Sequence, residues 1–140
     1  MIILDTNVLS ELMRPKPSPR VLAWVAKQPA SELFTTAITE AEIFYGIELV
    51  TNSKRREGLL AAAEAMFTED FAGRIFSFDN DAARVFSRIA AQRRTLGRPI
   101  SHTDAQIGAI AKAQGAKLAT RNVADFGDCD LDVLDPWKES

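Results

Sequence analysis

Short runs of apolar residues alternate along this chain with longer stretches in which apolar side chains recur every three or four positions, so strands and helices are predicted in turn. The first run, Ile2-Ile3-Leu4, reads as a short buried strand, and it leads directly into Asp5-Thr6-Asn7. Leu33-Phe34-Thr35-Thr36, Arg74 to Phe78, Lys117 to Thr120 and Asp132-Val133-Leu134 are the other strand candidates. Helical spacing covers Val8 to Met13, then a stretch with Val21, Leu22, Trp24 and Val25 on one face, ended by Pro29. A third helix opens at Thr39-Glu40-Ala41-Glu42 and carries Ile43, Ile47 and Val50. Ser53 is a suitable cap for a fourth, running from Lys54 to about Thr68. Asp79 or Asn80 caps a long fifth helix through Leu96, and a sixth begins at Ser101-His102-Thr103-Asp104 and closes at Gly115. The prolines of Arg14-Pro15-Lys16-Pro17-Ser18-Pro19, with Gly97 and Pro99, supply the breaks. Gly46 interrupts a helical pattern, which either a close backbone neighbour explains or the helix simply tolerates.

Strands alternating with helices imply an α/β fold, a mainly parallel sheet with helices on both faces. Right-handed crossovers bring every strand exit to one edge, so Asp5 and the segment from Thr120 to Asp125 emerge together, where ligands bind in such folds. At 140 residues the chain has the size of one domain. An apolar share of 46% with 26% charged residues places it among ordinary globular proteins. No run is long enough to span a membrane, and Asp5 follows the first apolar run at once, so no membrane association and a cytoplasmic setting are expected. The single cysteine, Cys129, excludes an internal disulfide. A net charge of -2 excludes a generally basic nucleic-acid binder, leaving any such contact to local patches.

Several acids stand where chemistry and local structure compete for them. Asp5 or Asn7 can cap the first helix. Thr39 with Glu42, and Ser101 with Asp104, both have the spacing of a capping box. Should Asp5, Glu42, Asp104 and Asp125 instead converge, their carboxylates would repel one another unless a cation intervened. Mg²⁺ suits that need, because it takes oxygen ligands, keeps several waters and requires only one or two direct carboxylates. Such a centre polarises a phosphate oxygen and makes water more acidic, as phosphodiester hydrolysis requires.

Four motifs stand in sequence: Ile3-Leu4-Asp5-Thr6-Asn7; Thr39-Glu40-Ala41-Glu42 with Gly46 a turn later; Asp104 in a first helical turn; and Thr120-Arg121-Asn122 leading to Asp125-Phe126. In this order and at these separations they resemble the PIN-domain ribonucleases, most of all the VapC and FitB type of bacterial toxin from toxin-antitoxin pairs. The resemblance takes in essentially all 140 residues as a single PIN domain, including Phe78-Asp79 and Pro136-Trp137. It implies an α/β/α sandwich, a Mg²⁺- or Mn²⁺-dependent acidic site, endoribonuclease activity on RNA and a homodimer. It also implies neutralisation by a small VapB-like antitoxin and a hetero-oligomer with that antitoxin on operator DNA. Asp5, Glu42 and Asp104 match the family's three main acids, with Asp5 and Asp104 the expected metal ligands. Relatives place a fourth acid either directly after Thr-Arg, where this chain has Asn122, or a turn later, where it has Asp125. Asp125 is taken as the fourth acid and Asn122 as its neutral partner. Thr6, Asn7 and Thr120 are expected to orient carboxylates and water, and Arg121 to meet substrate. The expected reaction is in-line attack by metal-activated water, leaving a 5′-phosphate and a 3′-hydroxyl.

Two other readings compete. Haloacid-dehalogenase-like phosphatases also open with a strand ending in Asp, but they use a second Asp two residues on, where this chain has Asn7. A non-catalytic binding subunit would keep the acids purely as helix caps. Arg14, Lys16 and Arg20, Lys54 to Arg56, and Arg93, Arg94 and Arg98 are candidate phosphate contacts or solvated helix ends. Trp24, Phe44 and Tyr45 belong to the core or line a groove for an amphipathic partner peptide. His102, the sole histidine, matches no motif position and is expected to have no catalytic part.

Overall fold

The computed structural model describes residues 1–139. Five parallel strands, β1 (Ile2–Leu4), β2 (Leu33–Thr36), β3 (Ile75–Phe76), β4 (Lys117–Ala119) and β5 (Val133–Leu134), form one sheet in the order β3-β2-β1-β4-β5. Six α-helices accompany them: α1 (Thr6–Leu12), α2 (Pro19–Lys27), α3 (Ala37–Glu48), α4 (Ser53–Ala65), α5 (Asn80–Thr95) and α6 (His102–Gln114). Because successive strand residues face opposite sides, Leu4 and Ala119 pack on one face with Val8, Leu9, Val21, Trp24, Ile43 and Ile47. Ile3 and Leu118 pack on the other with Ile107 and Ile110 of α6. The result is the three-layered α/β/α sandwich that the alternation predicts.

The central strand β1 lies between β2 and β4, so the chain leaves it toward one side of the sheet and returns on the other. That reversal opens a crevice at the carboxyl ends of β1 and β4. The Asp5 amide donates to the Ala119 carbonyl at 2.9 Å, fixing the two exits side by side.

Element boundaries differ from expectation where a local cap outweighs the apolar pattern. α3 begins at Ala37, because Thr36 at the end of β2 accepts from the Thr39 amide at 3.0 Å. Asn52, and not Ser53, caps α4 by accepting from the Arg55 amide at 2.9 Å. α4 stops at Ala65 and continues as a single π-type turn, Met66–Asp70, in which the Phe71 amide reaches the Met66 carbonyl at 2.9 Å. This wider turn buries Met66, Phe67 and Phe71 in the same cluster. β3 is shorter than the alternation predicts, ending before Asp79 accepts from the Ala82 amide to cap α5.

Trp24 belongs to the core, Phe44 packs against Phe67 with ring centroids 5.7 Å apart, and Tyr45 is exposed. No close backbone explains Gly46, because a Cβ there meets nothing within 4 Å. Gly46→Ala is therefore expected to raise unfolding stability by about 1 kcal/mol, measured by urea denaturation.

Candidate active site

Asp5 stands at the first residue past β1 with extended backbone angles (φ -69, ψ 164), and caps α1. Its Oδ1 accepts from the Thr6 amide at 2.8 Å, and its Oδ2 from the Thr120 hydroxyl at 2.7 Å. Thr120 in turn accepts from Asn7 Nδ2 and from the Asn122 amide, each at 3.1 Å, while Asn7 Oδ1 accepts from the Arg121 amide at 3.2 Å. Thr6, Asn7, Thr120, Arg121 and Asn122 thus join the ends of β1 and β4 in one network around the Asp5 carboxyl. Asp5 is both a helix cap and a member of the site.

Glu42 is no capping-box partner, because the cap of α3 is Thr36 and Glu42 lies well inside the helix. Its Oε1 accepts from the Thr6 hydroxyl at 2.7 Å. With that proton committed, the 3.0 Å contact between the Thr6 and Thr39 hydroxyls is donated by Thr39. Thr6 therefore couples Glu42, through its hydroxyl, to Asp5, through its amide. Ser101 does cap α6, accepting from the Asp104 amide at 3.2 Å. The Asp104 side chain nonetheless borders the same cleft as Asp5 and Glu42.

That cleft has a volume of about 510 Å³ and is also lined by Arg14, Arg121, Asn122 and Trp137. Burial pushes the Asp5 carboxyl up to about 6, against the Thr120 and Thr6 hydrogen bonds, and Asp104 and Glu42 add to the rise. Burial also raises Asp104, opposed by a Ser101 hydrogen bond, with Asp125 and Glu42 pushing it further up and Arg93 drawing it down. Asp5 thus feels the charge of Asp104 and Glu42, and Asp104 that of Glu42, as a shared site requires.

Asp125 and Asn122 part company. Asn122 lines the cleft, whereas Asp125, on the 3-10 turn Val123–Phe126, borders an adjoining hollow of about 220 Å³ that it shares with Asp104. Asp125 acts on the cleft across Asp104. Among the described residues, no three His, Cys, Asp or Glu side chains close on one point as a ready-made metal cage. Oxygen donors spaced in this way still fit a hard cation that takes one or two carboxylates and completes its shell with water. Asp5 and Asp104 are the candidates to hold it.

Ser10, Glu11 and Trp137 also line the cleft and were not expected there from the sequence. Glu11 is buried and accepts from the Ser18 amide at 3.0 Å and from Arg14 Nη1 at 3.3 Å, clipping the proline loop to α1. Spacing held the signal, because Glu11 follows Asn7 by one helical turn. Trp137, set by its amide donating to Asp135 Oδ1 at 2.9 Å, lies under the Arg121 guanidinium at 5.0 Å. Arg93, expected at the surface, is buried instead. His102 is exposed and meets the edge of Phe86 at 5.8 Å, away from the cleft. On the nuclease activity that the resemblance implies, His102→Ala is expected to leave initial rates within about threefold of wild type, since His102 supplies no proton-transfer group to the cleft.

The PIN-domain family model matches residues 2–127. The chain belongs to the PIN-domain family. This PIN domain is 39% identical over 138 residues to the VapC ribonuclease Y4jK of Sinorhizobium fredii, covering 99% of each chain. Toxin FitB of Neisseria gonorrhoeae is 37% identical over 139 residues, covering 99% of this chain and all 100% of the relative. Its fold matches that of FitAcB from Neisseria gonorrhoeae with a TM-score of 0.93 at 37% identity, across 99% of this chain and 100% of the other. The FitAB complex bound to an IR36 DNA fragment matches with a TM-score of 0.92, across 100% of this chain and 98% of the other. Membership decides against the haloacid-dehalogenase-like alternative, whose second acid this PIN domain lacks at Asn7.

Proposed function

We propose that this PIN domain is a divalent-metal-dependent endoribonuclease that hydrolyses RNA phosphodiester bonds and serves as the toxin of a toxin-antitoxin pair. The observation that carries the reading is the meeting of Asp5, Glu42 and Asp104, drawn from three distant parts of the chain, in one cleft at the point where the sheet reverses. Relatives of nearly equal length named ribonuclease and toxin support it.

A bound Mg²⁺ or Mn²⁺ would supply Lewis acidity toward a phosphate oxygen and make water a better nucleophile. The chain's own residues prepare for that. Thr120 and the Thr6 amide orient the two Asp5 oxygens, and the Thr6 hydroxyl orients Glu42. Asp125 adds negative charge behind Asp104. Arg14 and Arg121 offer cations at the cleft wall, offsetting the repulsion between the acids and a phosphate chain.

A VapB-like antitoxin is the proposed partner, in a hetero-oligomer that sits on operator DNA, by analogy with the FitAB complex on its DNA fragment. An apolar hollow of about 520 Å³ lined by Met13, Ile43, Ile47, Val50 and Leu59 adjoins the cleft through Ser10, Arg14 and Glu42. Its chemistry suits an amphipathic peptide segment. Exposed Tyr45 on α3 and Leu49 just past its end suit the proposed homodimer. Among the described residues no helix is long and apolar enough to cross a membrane.

The deciding experiment incubates the purified full chain with structured and unstructured RNA, with Mg²⁺, Mn²⁺ or chelator, and maps fragment ends. Metal-dependent internal cuts leaving 5′-phosphates and 3′-hydroxyls are expected. Intact RNA with either metal, or cleavage that chelation leaves unchanged, refutes the proposal.

A further inference from the structure

Arg93, near the end of α5, is the one buried cation among the described residues, 5% exposed. Its Nε donates to the Arg98 carbonyl at 2.6 Å. Its Nη1 donates to the carbonyls of Asp125 at 2.7 Å and Gly127 at 3.1 Å, and lies 3.7 Å from Cys129 Sγ. It also borders the hollow shared by Asp104 and Asp125. Among the described residues no carboxylate is in ion-pair contact with it. Burying a guanidinium without a direct counter-ion costs folding free energy that an apolar side chain of similar size would avoid.

The bonds show where that cost is applied. Arg98 begins the loop that leads to the Ser101 cap and hence to Asp104, while Asp125 and Gly127 belong to the turn that carries the fourth acid. Neither segment is part of a strand, so the sheet ladder does not hold them. Arginine's planar fork can join several carbonyls at once, which a lysine ammonium on a flexible stem does less rigidly. We infer that Arg93 is a positioning residue for the acid pair: its guanidinium ties the Asp104-bearing and Asp125-bearing segments to α5, and its fixed charge offsets their mutual repulsion. This rests on the nuclease reading, in which Asp104 and Asp125 act together.

The test uses the full chain. Arg93→Lys keeps the charge and loses the fork, so Mn²⁺ affinity by calorimetry and RNA cleavage are each expected to fall about tenfold. Hydrogen exchange of the amides of residues 123–127 is expected to quicken in the metal-free protein. Asp125→Asn is expected to lower cleavage to a similar degree, and Arg93→Lys with Asp125→Asn to be no worse than the poorer single variant within about twofold. Multiplied losses, or unchanged exchange and Mn²⁺ affinity in Arg93→Lys, overturn the inference. Should Arg93→Lys not fold, ¹⁵N spectroscopy of wild type decides: the Arg93 Nε–H must exchange slowly and shift as Mg²⁺ is added, and a fast-exchanging or unmoved signal overturns the inference. Wild type that cuts no RNA refutes the nuclease reading separately, and the amide exchange of Arg93→Lys still tests the clamp.

Discussion

With Asp5 replaced by Asn, RNA cleavage is expected to fall about a thousandfold, the several kcal/mol of a lost metal-centred charge stabilisation. The metal-free protein is expected to become harder to unfold at the same time. The Asp5 carboxyl is buried, 4% exposed, and its pKa is pushed from 3.8 to about 6 chiefly by desolvation. At about 1.4 kcal/mol per pH unit, ionising it at pH 7 without metal costs the folded state about 3 kcal/mol. Asn removes the charge and keeps the shape. Its oxygen can accept from the Thr6 amide, but its NH₂ faces the Thr120 hydroxyl, whose two lone pairs already accept from Asn7 Nδ2 and the Asn122 amide, so that bond is lost. One charge-assisted bond becomes neutral and the other is lost, offsetting part of the relief from that cost, so a net gain of about 1 kcal/mol is expected in urea unfolding with chelator present. Loss of stability together with surviving cleavage would remove Asp5 from the centre of the site.

The sign of the pH dependence follows from the same group. Because the folded-state pKa lies above the unfolded value, Asp5 favours the fold most below about pH 3.8, and that contribution is lost as pH rises through about 6. Relative to Asp5→Asn, metal-free wild type should therefore weaken between about pH 4 and 6 and change little above that range. Mg²⁺ binds the ionised carboxylate, so it should restore wild type above about pH 6 and leave the Asn variant unchanged.

The route to Asp5 was legible because an apolar run ending in an acid needs only three strand residues and a sheet edge to become a site. Asp104 rested on the family motif against a competing capping role with Ser101, and the structure shows the serine's half of that cap. Glu42 was harder. Thr36 and Thr39 are both acceptable caps, and only the point where β2 ends decides between them. Once Thr36 takes that role, the acid three residues beyond Thr39 is released from local duty. The partner it finds, Thr6, is far away in sequence, and no local spacing records that pairing. Arg93 was misread for a related reason. Beside Arg94 in a last helical turn it looks like a solvated cation favoured by the helix dipole. Its burial depends on a loop and a turn from elsewhere in the chain folding over it. The choice between Asn122 and Asp125 likewise depended on a 3-10 turn that carries the acid past the cleft and behind Asp104.

Glu42→Gln separates structure from chemistry at the position where both claims were strongest. Gln matches Glu in size and helix propensity, and its side-chain oxygen can still accept the Thr6 hydroxyl proton. Stability should stay within about 0.5 kcal/mol of wild type, as for a substitution that breaks no packing or hydrogen bond. Partner binding in the neighbouring groove, which Glu42 only borders, should also persist. Cleavage, in contrast, is expected to fall about a hundredfold, the upper range for groups that tune a metal site. Single-turnover rates, urea unfolding and Mn²⁺ calorimetry on one preparation make the comparison. A variant that folds and cuts RNA like wild type would leave Glu42 as an anchor for Thr6 alone. The acids that matter would then be Asp5 and Asp104, and Thr6→Val, which frees Glu42 from its hydroxyl, should be equally silent. Loss of cleavage in Glu42→Gln with a milder loss in Thr6→Val is the pattern expected if the carboxylate acts and the threonine aims it.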